Sequence, residues 1–317
     1  MKKDYEHIVT LWPAGREGQK RILVFSPHPD DDVIAMGGTI HRLVEQGHEV
    51  HIAYQTSGNI AVSDEDVERY IQEHLKMNDQ KEWASYIDKE GKILSAQCEL
   101  AVKGMVRRDE ALAACQYNGI SEQQVHFLNM PFYETGQVVK KPLGDGDIAI
   151  IRRLLEQVKP HQIYIAGDFN DPHDTHRKCT EAIVRALKIV RTLKEVKVSS
   201  LASSSSAATS SSAANNNGVD TCQIWLYNGA WDEWPLEQID MAVPMTHEEL
   251  MHKRGAILKH QSQMENAPYK GGDQRLFWQR SEQRNRKTAQ QFAEQGVLPQ
   301  YEAMEAFVEY KEKFISL

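Results

Sequence analysis

The residues of this chain best suited to chemistry stand in two short clusters. The first is Pro27-His28-Pro29-Asp30-Asp31-Asp32. Three adjacent carboxylates beside an imidazole repel one another unless a cation sits among them. The economical cation is a divalent metal held by imidazole nitrogen and carboxylate oxygen. An acidic helix N-terminus, favoured by capping and by the helix dipole, would also account for the three aspartates. The second cluster spans residues 167–177, GDFNDPHDTHR. Its two histidines, His173 and His176, stand three apart at the start of an expected helix and can face the same way. Alone, such a pair is weak evidence. Beside His28 and the aspartates, at the end of another strand, it becomes much stronger.

Each cluster needs an element to position it. Residues 22–25, Ile-Leu-Val-Phe, form an apolar run with no helical spacing, the pattern of a buried strand. Ser26-Pro27 breaks the run, and Val33, Ile34, Met36, Ile40 and Leu43 then recur at helical spacing. This reads as strand, loaded loop, helix. The second cluster follows another apolar run, residues 162–166. In an open parallel sheet, loops at the carboxyl ends of strands are where ligands bind. Further strands are expected at 49–54, 124–128, 222–227 and 239–243, and helices at 102–117, 147–158, through 190, and from 246 on. The stretch 63–93 is charged and reads as mostly helical, and the tail 301–317 as a docked amphipathic helix. Strands separated by helices argue for an α/β layered, Rossmann-like sandwich with a mainly parallel sheet.

Three further features have two readings each. Arg107 and Glu110 lie three apart on one helix face, as a support near the loaded loops or as a surface ion pair. Trp225, Trp231 and Trp234 could form a sugar-stacking platform or serve as core and loop anchors. Residues 199–217, SSLASSSSAATSSSAANNN, have almost no apolar content and read as a disordered insertion in an otherwise single domain, 21–317, preceded by an arm, 1–20.

The 317 residues suffice for a substantial core, and 41% hydrophobic with 26% charged residues is ordinary for a globular chain. A net charge of −8 argues against nucleic acid as partner. No apolar run approaches a membrane span, and the first residues form no secretory signal, so no membrane anchor is expected. Four cysteines without a CxxC read as reduced thiols of a cytoplasmic protein.

The wording Pro27-His28-Pro29-Asp30-Asp31-Asp32, between an apolar strand and a Gly37-Gly38 helix, resembles the signature of the PIG-L/LmbE family of zinc-dependent deacetylases. Their motif reads His-Pro-Asp-Asp-Glu, so Asp32 departs from it at the last acid. The resemblance implies one zinc per chain, bound by His28, Asp31 and His176. It makes Asp30 the general base and His173 the imidazole that stabilises the oxyanion. The family carries His-Pro-Asp-His where this chain has His173-Asp174-Thr175-His176. It also has a His-x-Ser-Gln element matching His260-Gln261-Ser262-Gln263, which places His260 at the border of the site. Asp32, Arg107, His260 and Trp231 are the expected substrate contacts. The whole matched region most resembles a domain found behind a glucosamine-6-phosphate deaminase-like domain in certain bacterial fusion proteins; with about twenty residues before the first strand, no such domain is expected here.

The reading is a zinc-dependent hydrolase that removes acetyl from an N-acetylated amino sugar of N-acetylglucosamine type. A homo-oligomer is compatible with it. A catalytically silent sugar-binding module and a glucosamine-6-phosphate deaminase-related activity are the alternatives.

Overall fold

The computed structural model describes residues 7, 9, 18–76, 83–88, 90–133, 140–168, 174–204, 222–229, 232–264 and 275–311. Seven strands among these residues form one sheet: β1 (Arg21–Ser26), β2 (Glu49–Tyr54), β3 (Val125–Phe127), β4 (Gln162–Ala166), β5 (Gln223–Tyr227), β6 (Met241–Met245) and β7 (Ala303–Glu309). Among the described residues seven helices surround it: α1 (Asp31–Glu45), α2 (Asp64–Lys76), α3 (Ala96–Tyr117), α4 (Asp145–Val158), α5 (Thr175–Ser204), α6 (His247–Ile257) and α7 (Phe277–Glu294). The strand order is β3-β2-β1-β4-β5-β7-β6. The first five are parallel, and β7 enters antiparallel between β5 and β6.

Alternation along each strand builds two cores, because successive side chains point to opposite faces. Leu23, Phe25, Ile163 and Ile165 face α4 and α5, meeting Ile151, Leu155, Ile183 and Leu187. Ile22, Val24, Val50 and Ile52 face α1 and α3, meeting Ile40, Leu43, Ala111 and Cys115. This is the layered α/β sandwich with a mostly parallel sheet that the sequence implies. The chain runs outward from β1 through β2 to β3, then returns to place β4 on the other side of β1. The direction of winding reverses between β1 and β4, and a crevice opens at such a point beyond the carboxyl ends of the strands.

Three expectations are corrected. The tail is a strand where a helix was expected: residues Ala303–Glu309 pair with both β5 and β6. The charged stretch 63–93 is helical over Asp64–Lys76, and beyond it Ile87 and Ile93 form an isolated antiparallel bridge. Helix α5 continues to Ser204, past the expected end at 190 and into the first residues of the Ser-rich stretch. The rest of that stretch lies outside the described residues. Among the described residues no helix is long and apolar enough to cross a membrane. None of the four cysteines is in a disulfide, and three of them are buried.

Candidate metal centre

The loop after β1 is held to β2 before it turns. Gln55 N–H donates to the Ser26 carbonyl at 2.8 Å, and the Thr56 amide and hydroxyl donate to the Pro27 carbonyl at 3.1 and 2.7 Å. The chain then passes through Asp30 at φ 121°. A non-glycine residue there costs on the order of 1–3 kcal/mol and persists only where its surroundings enforce it. The enforcing group is Arg107, buried on α3. Its Nη2 donates to the Pro29 carbonyl and lies 3.2 Å from Asp30 Oδ2.

The strained turn sends two adjacent carboxylates apart. Asp30 goes to Arg107, while Asp31, in the first turn of α1, goes to the histidines. Asp31 Oδ2 accepts from the His28 amide at 2.9 Å, and lies 3.1 Å from His28 Nδ1 and 3.2 Å from His176 Nε2. The two ring nitrogens are 3.3 Å apart. These three atoms form a triangle with edges of 3.1–3.3 Å. Tetrahedral zinc, with bonds of about 2.0–2.1 Å, sets neighbouring donor atoms about 3.3 Å apart. The donors therefore fit a zinc-sized ion with little adjustment. Among the described residues this is the group of His, Cys, Asp or Glu side chains with such convergence.

The orientation of His176 is set from β4. Asp168, just past that strand, places its two oxygens 2.9 and 2.8 Å from His176 Nδ1. The bond keeps a proton on Nδ1 and turns Nε2 toward Asp31 and His28, the support that metal-binding imidazoles generally have. Gly229, just past β5, makes room for it, since a Cβ there would overlap the Asp168 carboxylate. Sequence reasoning quoted Asp168 without giving it a role; the available signal was an acid at a strand end, eight residues before His176. Tyr133, whose ring lies edge-on to His28 with centroids 5.9 Å apart, likewise had no role from the sequence beyond its place in a loop at a strand end.

Burial and charge divide the titratable groups. Burial pushes Asp30 well above the ordinary carboxyl range, with Arg107 opposing and Asp31 and Asp32 adding to the rise. Burial acts on Asp31 too, but the two histidines outweigh it and hold that carboxyl well below its usual value. For His176, burial disfavours the charged ring, yet Asp31 and Asp168 hold it well above the ordinary imidazole value. Neighbouring carboxylates with opposite shifts are what a site with separate acid–base and ligand roles requires.

The expected substrate contacts are placed as follows. Asp32 is 1% exposed; its oxygens lie 3.2 Å from Ser26 Oγ and 3.1 Å from Tyr54 Oη, beneath the loop. Burial raises its pKa to about 6. Arg107 braces the Asp30 turn, and Glu110 goes to a different partner, accepting from the Ser262 amide and hydroxyl at 2.6 and 2.7 Å. That bond ties the segment holding His260 to α3. His260 is 0% exposed, and neither of its ring nitrogens has a hydrogen-bond partner among the described residues. Burial, aided by Arg107, lowers its pKa to about 3. Trp234 is an anchor, its Nε1 donating to the Leu226 carbonyl at 3.2 Å. His173 and Trp231 lie outside the described residues.

Comparisons with known proteins bear on the family and the fold of the chain. Residues 23–187 match the profile of the family described as PIG-L: GlcNAc-PI de-N-acetylase. A glucosamine-6-phosphate deaminase-like protein of Bacteroides thetaiotaomicron is 47% identical over 334 residues, covering 97% of this chain. The chain spans 47% of that relative's length. Among solved structures, the N,N'-diacetylchitobiose deacetylase of Pyrococcus horikoshii superposes with a TM-score of 0.57 at 19% identity, covering 92% of this chain and 84% of that one. The 4-carboxy-2-hydroxymuconate hydratase GalB of Pseudomonas putida superposes at 0.55 with 17% identity, covering 92% and 97%. At these identities the structures show a shared fold, and one fold serves more than one reaction. The family profile spans more than half of the 317 residues and includes every member of the metal triangle, so the chain belongs to the PIG-L (GlcNAc-PI de-N-acetylase) family.

Proposed function

We propose that this chain is a zinc-dependent N-deacetylase acting on an N-acetylated amino sugar. The observation that carries the reading is the division of labour between two adjacent aspartates: Asp31 joins His28 and His176, while Asp30 is turned out of that triangle with a raised pKa. His28 Nδ1, Asp31 Oδ2 and His176 Nε2 would hold the metal. A bound divalent metal would polarise the amide carbonyl and make nearby water more acidic.

Asp30 acts as general base and then general acid. It takes a proton from the water whose oxygen bonds to the carbonyl carbon. It returns that proton to the amine nitrogen as the C–N bond breaks, leaving acetate and a free amine. Arg107 keeps the Asp30 carboxylate aimed, and Asp32 underpins the turn from below. We assign the oxyanion to His173, on the family resemblance, and a place at the rim to Trp231. We keep His260, which is fully buried and feels the charges of Arg107 and Asp31, at the border of the site. The family description and the diacetylchitobiose deacetylase both support an N-acetylated sugar as substrate.

The name of the Bacteroides relative favours a second reading, release of ammonia from an amino sugar phosphate. One experiment separates the two. Zinc-loaded protein is offered a panel of N-acetylated sugars, free and phosphorylated, with acetate, free amine and ammonia all measured. Acetate and amine in equal amounts support the deacetylase. Ammonia without acetate supports the deaminase, and no product from any sugar points to a silent binding module.

A further inference from the structure

Helix α1, which carries Asp31 and Asp32, is broken at Met36, where φ −142° and ψ 27° leave helical geometry. In an unbroken helix the carbonyls of Ile34 and Ala35 would face the amides of Gly38 and Thr39. Here all four groups meet side chains from the C-terminal part of the chain. Gly38 N–H donates to Glu305 Oε1 at 3.0 Å and Thr39 N–H to Oε2 at 2.7 Å, with the Thr39 hydroxyl donating to the same oxygen. On the other side of the break, the Ile34 carbonyl accepts from Ser281 Oγ at 2.7 Å and from Arg284 Nη2 at 3.1 Å. The Ala35 carbonyl accepts from the same Nη2 at 3.3 Å.

A sharp kink needs a cause, usually proline, a pair of small residues such as Gly37-Gly38 here, or an inserted group. No proline stands in this helix; the inserted groups are the Glu305 carboxylate from β7 and the Arg284 guanidinium from α7. Glu305 is 0% exposed, and a buried carboxylate is costly unless paired and hydrogen-bonded. Lys253 Nζ meets both needs at 2.7 Å and spends another bond on Asn285 Oδ1, also at 2.7 Å. Gly38 makes room for Met245 of β6, whose sulfur a Cβ there would overlap. The break divides α1 into a first segment bearing Asp31 and a second fastened to α6 by Arg42 and Glu249.

We propose that Glu305 is a positioning residue of the metal centre: by drawing the amides of Gly38 and Thr39 into its carboxylate, it fixes the break at Met36 and the direction in which α1 presents Asp31. The role lies outside residues 23–187, in a part of the chain the family profile does not reach. The inference rests on the metal reading of His28, Asp31 and His176.

The test compares Glu305→Gln with Glu249→Gln, which releases Arg42 on the same helix beyond the break. Three quantities are measured: zinc affinity by competition with a chromophoric chelator, kcat and KM for deacetylation, and thermal unfolding of metal-free protein. Glu305→Gln should weaken zinc binding by about tenfold or more and lower kcat similarly, with KM little changed, as for groups that orient a metal ligand. Glu249→Gln should lower the unfolding temperature and leave zinc affinity unchanged. Normal zinc affinity in Glu305→Gln, or equal losses in both variants, overturns the proposal. If the single variant does not fold, Lys253→Met with Glu305→Gln removes both buried charges and is judged by the same measurements. Thr39→Val, too mild to unfold the chain, should still weaken zinc binding by about twofold; no change there, with the double variant also unfolded, overturns the proposal. A wild-type chain that takes up no zinc overturns the metal reading, and this inference with it.

Discussion

Between Asp30 and Asp31 the backbone turns at φ 121°, so residues adjacent in sequence meet Arg107 and the histidine pair respectively. Asp30→Asn should therefore keep its zinc and lose about 10²–10⁴-fold in kcat, because an amide cannot accept the proton. Asp31→Asn should lose the metal first, and excess zinc should restore part of its activity. Metal content and kcat for both variants decide; loss of zinc from Asp30→Asn would reverse the assignment. Asp168→Asn should weaken zinc binding by about 10–100-fold through His176, read by chelator competition. Asp32 carries a pH signature. Its pKa of about 6, against an ordinary 3.8, means the folded state keeps a proton that the unfolded chain has lost across that window. Stability of the metal-free protein should thus fall as pH rises from about 4 to about 6, by on the order of 3 kcal/mol at 1.36 kcal/mol per unit. Asp32→Asn should raise the unfolding temperature at pH 7 and give no gain at pH 4; a gain independent of pH would show that the charge is not the cause. The candidate ligand set came from the family resemblance, because the residues alone also allowed an acidic helix N-terminus; the fold then brings His28, Asp31 and His176 together. Asp168 was not legible in the sequence, because its role depends on how β4 and α5 aim two side chains across a turn.

At the scale of elements, the turn after β5 matters to a metal site it never touches. Gly229→Ala would push the Asp168 carboxylate off His176, so zinc affinity should fall while the helical signal stays near wild type. Unchanged affinity would mean that Asp168 has room to move. Replacing residues 205–217 with a short Gly-Ser linker should shift the unfolding temperature only slightly, since the segment offers little apolar surface to bury. A drop of several degrees would show that it packs. The parallel strands and most helices were readable from apolar period and punctuation. Strand β7 was misread for a physical reason: Ala303, Met304, Phe307 and Val308 suit a helix in spacing and propensity. Their position between β5 and β6 instead buries both faces, Glu305 included. Tertiary pairing overrode local preference. The break in α1 was equally hidden, because its cause lies 267 residues away.

For the whole molecule, the family match ends at 187, but the sheet does not. A chain cut after Leu187 would lack β5, β6 and β7, three of seven strands, and with them the covering helices α6 and α7. Such a fragment should show no cooperative unfolding transition by circular dichroism; a sharp transition would prove the first half autonomous. The order of the last strands carries a consequence for biosynthesis. Strand β6 is made long before β7, yet among the described residues its strand partner is β7, with a single bridge from Val9 to Ala242 besides, and the outer edge of β5 waits for the same partner. A nascent chain leaving the ribosome therefore holds two unpaired strand edges until β7 emerges. Exposed edges are templates for intermolecular pairing. Premature termination shortly before Ala303 would thus release a product with the whole metal triangle encoded and both edges open, a form prone to aggregate rather than to work slowly.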